Sequence, residues 1–520
     1  MDDLKATEKL RQFRQEELDS QKDAAERNRW GQFATPIELS VQITKLAKRL
    51  WGKRTAKVRF LDPAIGTGSF YSALQTVFPS AMIEVAAGVE LDEGFAKEAK
   101  NLWTDTGLQI TQADFTALLP PKEKFNLVLT NPPYVRHHHL GKIDKVRLKE
   151  LVSDLVDVNL SGLAGLYCHF LLLCDAWLED DALSFWLIPS EFMDVNYGTA
   201  VKDYLLRNVS LVQIHRFCPS DVQFADALVS SAVVVFKKSK PREDHRVTMS
   251  FGGSLLRPTH KEKLSIDELA SWRKWTQLPK VNGNESNGTA AVSLGDLFSI
   301  KRGLATGDNK FFVLPRGEAK KKGVPNKYIK PILPSPRYLP QTEIEGDESG
   351  YPKINNPLAL IDCDLSEEDI ARLYPRFWEY LSEGKEHGID KKYLTSRRRP
   401  WYSQEHRDPA PFVCTYMGRT NNGTKPFRFI WNKSDAVAAN VYLLLYPKGR
   451  LKAALDENPS LYLTVFEFLQ GIGAHEFIGE GRVYGGGLHK MEPKELSRVS
   501  AVNLVRKIES LQIEKQATLF

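Results

Sequence analysis

Between residues 58 and 134 the chain repeats one arrangement four times: a short apolar run, with a polar residue where the run stops. The runs are 58–61, 85–91, 108–111 and 125–130, and the polar residues at their ends are Asp62, Glu90, Asp114 and Asn131. A helical segment reaching about Trp103 separates the second run from the third. Apolar runs of strand length that alternate with helices predict a parallel sheet, because parallel neighbours need long crossovers. An open sheet of this kind binds its ligands beyond the carboxyl ends of its strands. Any one of these acids would serve as a helix N-cap or a solvated turn residue. Four polar signatures in register at four strand ends point to a site.

The fourth run ends in Asn131-Pro132-Pro133-Tyr134. Each proline fixes its φ and lacks an N–H, so the strand must stop here. An amide, two stiff residues and an aromatic ring are thereby held at one strand end. After the first run comes Asp62-Pro63-Ala64-Ile65-Gly66-Thr67-Gly68-Ser69-Phe70. Its glycines allow a tight turn and close approach of a ligand, and the helix that follows offers free N–H groups. The phosphate-loop pattern G-x-x-x-x-G-K-[ST] is absent. An acid after a second strand is the usual partner of ribose hydroxyls, which fits Glu90. Asp114 can accept from an exocyclic amine, since an ionised carboxylate only accepts.

Upstream, Gly31-Gln32-Phe33-Ala34-Thr35-Pro36 precedes an amphipathic helix through Leu39, Ile43, Leu46 and Leu50. Thr35 fits its N-cap and Pro36 its first helical position, which would explain both without a ligand. Residues 3–29 are densely charged with sparse apolar positions and predict an exposed helical arm, read first as solvated. Downstream, helices are expected at 143–157 and 164–178, strands at 182–188, 211–217 and 229–236, and a helix ending near Arg207. The whole is a Rossmann-like, seven-stranded α/β domain over residues 31–245, preceded by the arm at 1–30. The charged stretch 237–246 marks the expected boundary, and 246–520 form a second, mixed α+β domain. Residues 280–290, rich in Asn and Gly, are expected to form a mobile loop, and a closing helix is expected from about Lys494.

The charge divides along the same line. Residues 1–245 carry 30 Lys and Arg against 33 Asp and Glu, whereas 246–520 carry 41 against 32. A basic second half suggests a polyanionic partner. Within it, residues 397–433 hold eight basic residues against two acidic ones, interleaved with Trp401, Tyr402, Tyr416 and Phe427. Cations among aromatics suit a nucleic-acid surface, and a packed β domain with a solvated basic face is the competing account. Lys301, Arg302, Lys310, Arg397, Arg398, Arg399, Trp401 and Tyr402 are the candidate contacts. The five cysteines are scattered and never spaced C-x-x-C, and no apolar run approaches 18 residues. These features argue against a zinc site, a disulfide framework and a membrane span, and they favour a reducing cytoplasm. His137-His138-His139 invites a metal, but adjacent histidines point apart and lack spaced partners, so no metal is expected.

Taken together, the series 31–36, 62–70, 88–92, 113–115 and 131–134 resembles the motif order of γ-class, TaqI-like type II DNA adenine-N6 methyltransferases of restriction–modification systems. The second half is similar to their target-recognition domain at Arg302-Gly303 with Thr306-Gly307, at 399–402 and at 485–493. The resemblance implies S-adenosyl-L-methionine as cofactor and double-stranded DNA as partner, with a monomer expected. It implies that Asp62, Ala64, Gly66 and Gly68 hold the methionine part with Thr35 nearby, Glu90 the ribose and Asp114 the cofactor adenine. The family commonly has Cys in place of Ile65 and Ser in place of Thr67, mild departures where backbone atoms make the contacts.

Such transfer needs no nucleophilic side chain. The exocyclic nitrogen of adenine is a poor nucleophile because its lone pair is delocalised, and acceptors aimed at its hydrogens oppose that delocalisation. The Asn131 side-chain oxygen and the Pro132 carbonyl suit this role, while Pro133 stiffens the turn. Tyr134 would stack on a flipped base and an aromatic residue would cover its other face, Phe224 or, in competition, Phe217. Protein-glutamine or RNA methylation and an inactive DNA-binding specificity protein are the alternatives. The domain order disfavours the first, Thr35-Pro36 with the long second half disfavours RNA, and intact Glu90 and Asp114 disfavour the third. About 30 residues precede Gly31, so any cognate endonuclease is expected on a separate chain.

Overall fold

The computed structural model describes residues 2–218, 223–224, 230–272, 274–277, 292–419, 425–473, 477, 482–484 and 488–511. The apolar runs become strands β1 (Val58–Asp62), β2 (Ile83–Glu90), β3 (Leu108–Gln112) and β4 (Phe125–Thr130), followed by β5 (Leu178–Pro189), β6 (Ser210–Arg216) and β7 (Ser231–Lys237). They lie in the order β3-β2-β1-β4-β5-β7-β6. Strands β1 to β5 are parallel, and β7 runs antiparallel to both β5 and β6. Every residue of β4 is buried, as a central strand covered on both faces must be. Its side chains alternate between two cores. Leu127 and Leu129 join Phe60, Phe185 and Tyr134, whereas Val128 joins Leu61, Trp186 and Leu172.

The sheet has nine strands instead of the expected seven. Strands β8 (Arg246–Ser254) and β9 (Arg257–Ser265) extend it, β8 parallel to β6 and β9 antiparallel to β8. The boundary expected at 245/246 is therefore displaced. The charged segment 237–246 is a connection between two strands of one sheet, and the division into two compact units falls within 278–291. The loop expected at 280–290 lies outside the described residues.

The helices of the first unit are α1 (Asp2–Ser20), α2 (Ala24–Trp30), α3 (Ile37–Trp51), α4 (Ser69–Val77), α5 (Glu93–Leu102), α6 (Lys142–Val156), α7 (Leu166–Leu173) and α8 (Thr199–Arg207). Helix α1 corrects the expectation of a solvated arm: it packs against α4 and α5, and Arg11 is 3% exposed. Its inward face carries Leu4 against the core but also the polar, paired Glu8, Arg11 and Gln15, so a count of apolar positions could not find it. No described helix is long and apolar enough to cross a membrane.

The second unit is mixed α+β. Its main sheet has the order Phe298–Arg302, Tyr442–Pro447, Phe412–Thr415, Phe429–Lys433, Glu343–Glu345. A three-stranded sheet (Val313–Pro315, Leu358–Ile361, Ile329–Ile332) and the helices Pro375–Glu386, Gly449–Glu457 and Leu461–Gly471 complete most of it. In place of one closing helix from about Lys494, the short helices Pro493–Leu496 and Val502–Lys507 are present.

Candidate active site

The catalytic-loop candidate and the 31–36 turn are built as one piece. Tyr134 N–H donates to the Gly31 carbonyl at 3.0 Å. Gly31 has φ +63°, and a Cβ there would lie 2.3 Å from the Tyr134 nitrogen, so only glycine permits this approach. Helix α3 begins at Ile37 with Pro36 at its N-cap, and Thr35 makes no cap hydrogen bond. Its hydroxyl instead accepts from Asn131 Nδ2 at 3.0 Å, and the same nitrogen donates to the Phe33 carbonyl at 2.8 Å. A main-chain carbonyl can only accept, which fixes which end of the amide is nitrogen. The Asn131 Oδ1 is thereby turned away, buried and without a hydrogen-bond partner among the described residues.

Three rings cluster beside the loop and turn that these bonds join. Tyr134 and Phe224 lie 5.8 Å apart and perpendicular, and the Phe33 ring is 5.6 Å from Tyr134 and 5.9 Å from Phe224. The Tyr134 hydroxyl donates to the Leu187 carbonyl at 3.0 Å, fixing the ring to β5. Phe217, the competitor for the second aromatic wall, packs instead on His215 at 4.7 Å. Phe33 had drawn no attention in the sequence, although it stands two residues before Thr35 in the same motif.

At the neighbouring strand ends, Glu90 accepts from Gly66 N–H and from Asp92 N–H, each at 2.9 Å and each on a different oxygen. Burial pushes its carboxyl above the ordinary range, against the pull of those backbone donors. Asp62 accepts from Ala64 N–H at 3.1 Å, and complete burial raises its pKa to about 7. Gly68, at φ +93°, lies so close to the Trp103 indole that a Cβ there would sit 2.4 Å from Nε1. Asp114 caps a short turn, accepting from Thr116 N–H and Thr116 Oγ1 at 2.8 Å each, and its other oxygen lies 3.6 Å from Arg147 on α6. Arg147 was missed, and an arginine in a charged helix carries no sequence mark of such a contact. The turn Asp62 to Gly68, Glu90, Asp114 and Asn131 all stand at the carboxyl ends of β1, β2, β3 and β4. His137, His138 and His139 form a single tight turn beyond Tyr134.

In the second unit the aromatic candidates are not at the surface. Trp401 is 7% exposed and Tyr402 fully buried, packed with Phe312, Phe377 and Leu381. Trp401 Nε1 donates to Glu367 at 3.2 Å and the Tyr402 hydroxyl to the Leu365 carbonyl at 2.5 Å. Arg398 spends its guanidinium on the Ala305 and Thr306 carbonyls and on Gln404. These three are corrected to structural residues: an amphipathic ring near arginines packs inward when a core is within reach. Tyr416 and Phe427 are buried as well. Lys301, Arg302, Lys310, Arg397 and Arg399 are exposed. Arg302 lies over the Tyr416 ring at 4.2 Å and Arg397 over Tyr393 at 3.5 Å.

The strand order with its antiparallel seventh strand, and the acids at its carboxyl edge, define a class I S-adenosyl-L-methionine-dependent methyltransferase fold. Residues 37–224 match the family model described as Eco57I restriction-modification methylase, and 283–520 the C-terminal domain of type II methyltransferase M.Eco57I. The chain belongs to these type II restriction–modification methyltransferases. It is 29% identical over 454 residues to M.XamI of Xanthomonas campestris pv. amaranthicola, covering 86% of this chain and 81% of that one. With M.AccI of Acinetobacter calcoaceticus it shares 25% over 496 residues, covering 92% and 86%. Among solved structures, the type IIL restriction-modification enzyme MmeI in complex with DNA has a similar fold, with a TM-score of 0.54 at 13% identity. That match covers 92% of this chain and 69% of the other.

The site suits S-adenosyl-L-methionine. Each Glu90 oxygen keeps a lone pair beyond its one backbone donor. The space beside Gly66 is open, and α4 begins directly after Gly68.

Proposed function

We propose that this protein transfers a methyl group to N6 of an adenine flipped out of duplex DNA, in a restriction–modification system. One observation carries the proposal: the Asn131 Oδ1 is buried and without a partner among the described residues, while two acceptors on its own amide nitrogen fix the orientation of the amide. Leaving a buried acceptor unmade costs about 1–3 kcal/mol. That cost is offset when a substrate donor arrives, and an exocyclic amine is such a donor.

In this reading Asn131 Oδ1 and the Pro132 carbonyl accept the two amino hydrogens, drawing the nitrogen lone pair out of the ring as positive charge develops. Pro133 holds the turn stiff, so little reorganisation remains at the moment of transfer. Tyr134 and Phe224 present faces to the two sides of the base, which requires their perpendicular rings to open when it enters. Glu90 binds the ribose of the cofactor, Asp114 accepts from its adenine, and Thr35 and the stretch from Asp62 and Ala64 to Gly66 and Gly68 hold its amino-acid part. When bound, the cofactor supplies an electrophilic methyl group on a sulfonium. The exposed cations Lys301, Arg302, Lys310, Arg397 and Arg399 approach DNA phosphates, and the neighbours that act in restriction–modification support DNA as the polymer.

The test is product identity. Duplex DNA methylated with labelled cofactor is digested to nucleosides and separated; the label is expected in N6-methyl-2′-deoxyadenosine. Label in N4-methyl-2′-deoxycytidine would keep the amide chemistry and overturn the base, and label confined to protein or RNA would overturn the polymer.

A further inference from the structure

The helix α1 carries a buried ion pair with no counterpart in the reading given so far. Arg11 is 3% exposed, and its guanidinium is gripped by Glu8 through Nε at 2.8 Å and Nη2 at 2.7 Å. The remaining Nη1 donates to Thr67 Oγ1 at 3.0 Å. That hydroxyl donates in turn to Gln15 Oε1 at 2.8 Å, also on α1, and the Thr67 carbonyl accepts from Trp103 Nε1 at 2.9 Å. The peptide between Gly66 and Gly68 is therefore held from two sides, and α1 supplies one of them. Two glycines at positive φ would leave this turn free to rearrange, so its geometry has to be imposed from outside.

A second anchor lies at the next strand end. Lys22, just after α1, donates to Asp92 at 2.5 Å and to Gln32 at 3.0 Å. Asp92 N–H is the group that donates to Glu90. The segment from Glu8 to Lys22 thus touches the partners of both cofactor-binding stretches, and Gln32 links it to the turn that leads to Thr35.

We propose that α1 is part of the cofactor site, with Arg11 a positioning residue that sets the Gly66-Thr67-Gly68 turn for the amino-acid end of S-adenosyl-L-methionine. The inference rests on assigning that turn to the cofactor. A guanidinium pre-oriented by a bidentate carboxylate makes a firmer strut than a flexible lysine, because less freedom remains to be lost. The paired carboxylate is held ionised: burial raises its pKa, but the hydrogen bonds and charge of Arg11, with hydrogen bonds from Ser72 and Gln12, together lower it below the ordinary value.

The experiment measures dissociation constants by calorimetry on the full chain for S-adenosyl-L-homocysteine and for 5′-methylthioadenosine, which lacks the amino-acid end. The variants are Glu8→Gln with Arg11→Met, which removes both charges at nearly constant volume, Thr67→Val, and Glu90→Ala as reference. The double variant is expected to bind S-adenosyl-L-homocysteine about tenfold more weakly, the loss of one charge-assisted hydrogen bond. Its affinity for 5′-methylthioadenosine stays at the wild-type value. Thr67→Val is expected to match it, and combining the two to add nothing further. Wild-type affinity in the double variant, with Glu90→Ala weakened, would overturn the role of Arg11 alone. Equal weakening for both ligands would reduce α1 to a structural support and overturn it too. Wild-type affinity in Glu90→Ala would remove the cofactor assignment and the proposal with it.

Discussion

The catalytic-loop segment 131–134 and the basic segment 397–404 have similar ingredients, an amide or guanidinium beside aromatic rings at the end of a regular element. They dispose of their polar atoms in opposite ways. Asn131 uses only its nitrogen and leaves Oδ1 buried and unmet. In the other segment Trp401, Tyr402 and Arg398 all spend their donors on Glu367, Leu365, Ala305 and Thr306. An unmet acceptor is a cost that an arriving substrate donor can offset, whereas a met donor contributes to folding whether or not a substrate is present. Under the proposed function, the first arrangement serves chemistry and the second serves architecture.

Paired substitutions test this contrast most severely. Asn131→Ala is expected to lower methyl transfer about a thousandfold, as loss of a preorganised polar group at developing charge does. It should leave cofactor affinity near wild type and cost about 1–2 kcal/mol of stability for the two hydrogen bonds of its amide nitrogen. Trp401→Ala should reverse the pattern, destabilising the second unit by about 3 kcal/mol or more through the cavity it leaves. Its transfer rate, measured where the protein is still folded, should stay within severalfold of wild type. Denaturant melts and single-turnover assays on both variants read the result. A stable but inactive Trp401→Ala would return that ring to the DNA surface.

Much of the first unit was legible because a parallel sheet converts sequence order into spatial order. Strand ends that bear Asp62, Glu90, Asp114 and Asn131 come to one edge whatever the details of the loops. What escaped was contact made by residues without a period. Arg11 and Arg147 lie in densely charged helices where one inward guanidinium looks like its solvated neighbours. Thr35 was legible only as one of two roles, cap or ligand partner, and Pro36 at the N-cap position decided between them. In the second unit a window of composition stood in for geometry. Composition cannot say on which side of a strand a ring lies, so Trp401 and Tyr402 were assigned outward when the core had claimed them. The ribbon of β8 and β9 was hidden by the charge of 237–246, which resembles a linker.

A smaller effect is expected from Asp62, whose carboxyl is buried at the end of β1. Burial raises its pKa from 3.8 to about 7, so in the folded chain it stays protonated while an unfolded chain has already ionised. Apoprotein stability contributed by this group is full below pH 3.8 and declines as the pH climbs toward about 7. The cationic amino-acid end of the cofactor favours the ionised form, so affinity should rise with pH up to about 7, at most about tenfold per pH unit, and then level. Asp62→Asn should abolish this pH dependence in both melts and cofactor titrations. A flat wild-type titration between pH 5.5 and 8, taken as roughly the range a buried carboxyl would span, would separate Asp62 from the cofactor.

The smallest effects belong to the exposed cations, and they sharpen the contrast from the other side. Lys310 has no ion pair among the described residues, and Arg399 donates only to the Ser396 and Arg398 carbonyls. Neither is fixed by a carboxylate, so each can approach a phosphate without first breaking an ion pair. Lys310→Ala and Arg399→Ala should each weaken DNA binding a few-fold, uniformly across sequences, and reduce the salt slope by about 0.9 per lost phosphate contact. Arg398→Ala should behave differently although it is the adjacent residue. Its guanidinium ties the 305–306 carbonyls to Gln404, so its loss should lower the melting temperature of the second unit and leave the salt slope unchanged. An equal change of slope in all three variants would mean that Arg398 leaves its carbonyls for DNA, and that architecture and recognition are not separated in this segment.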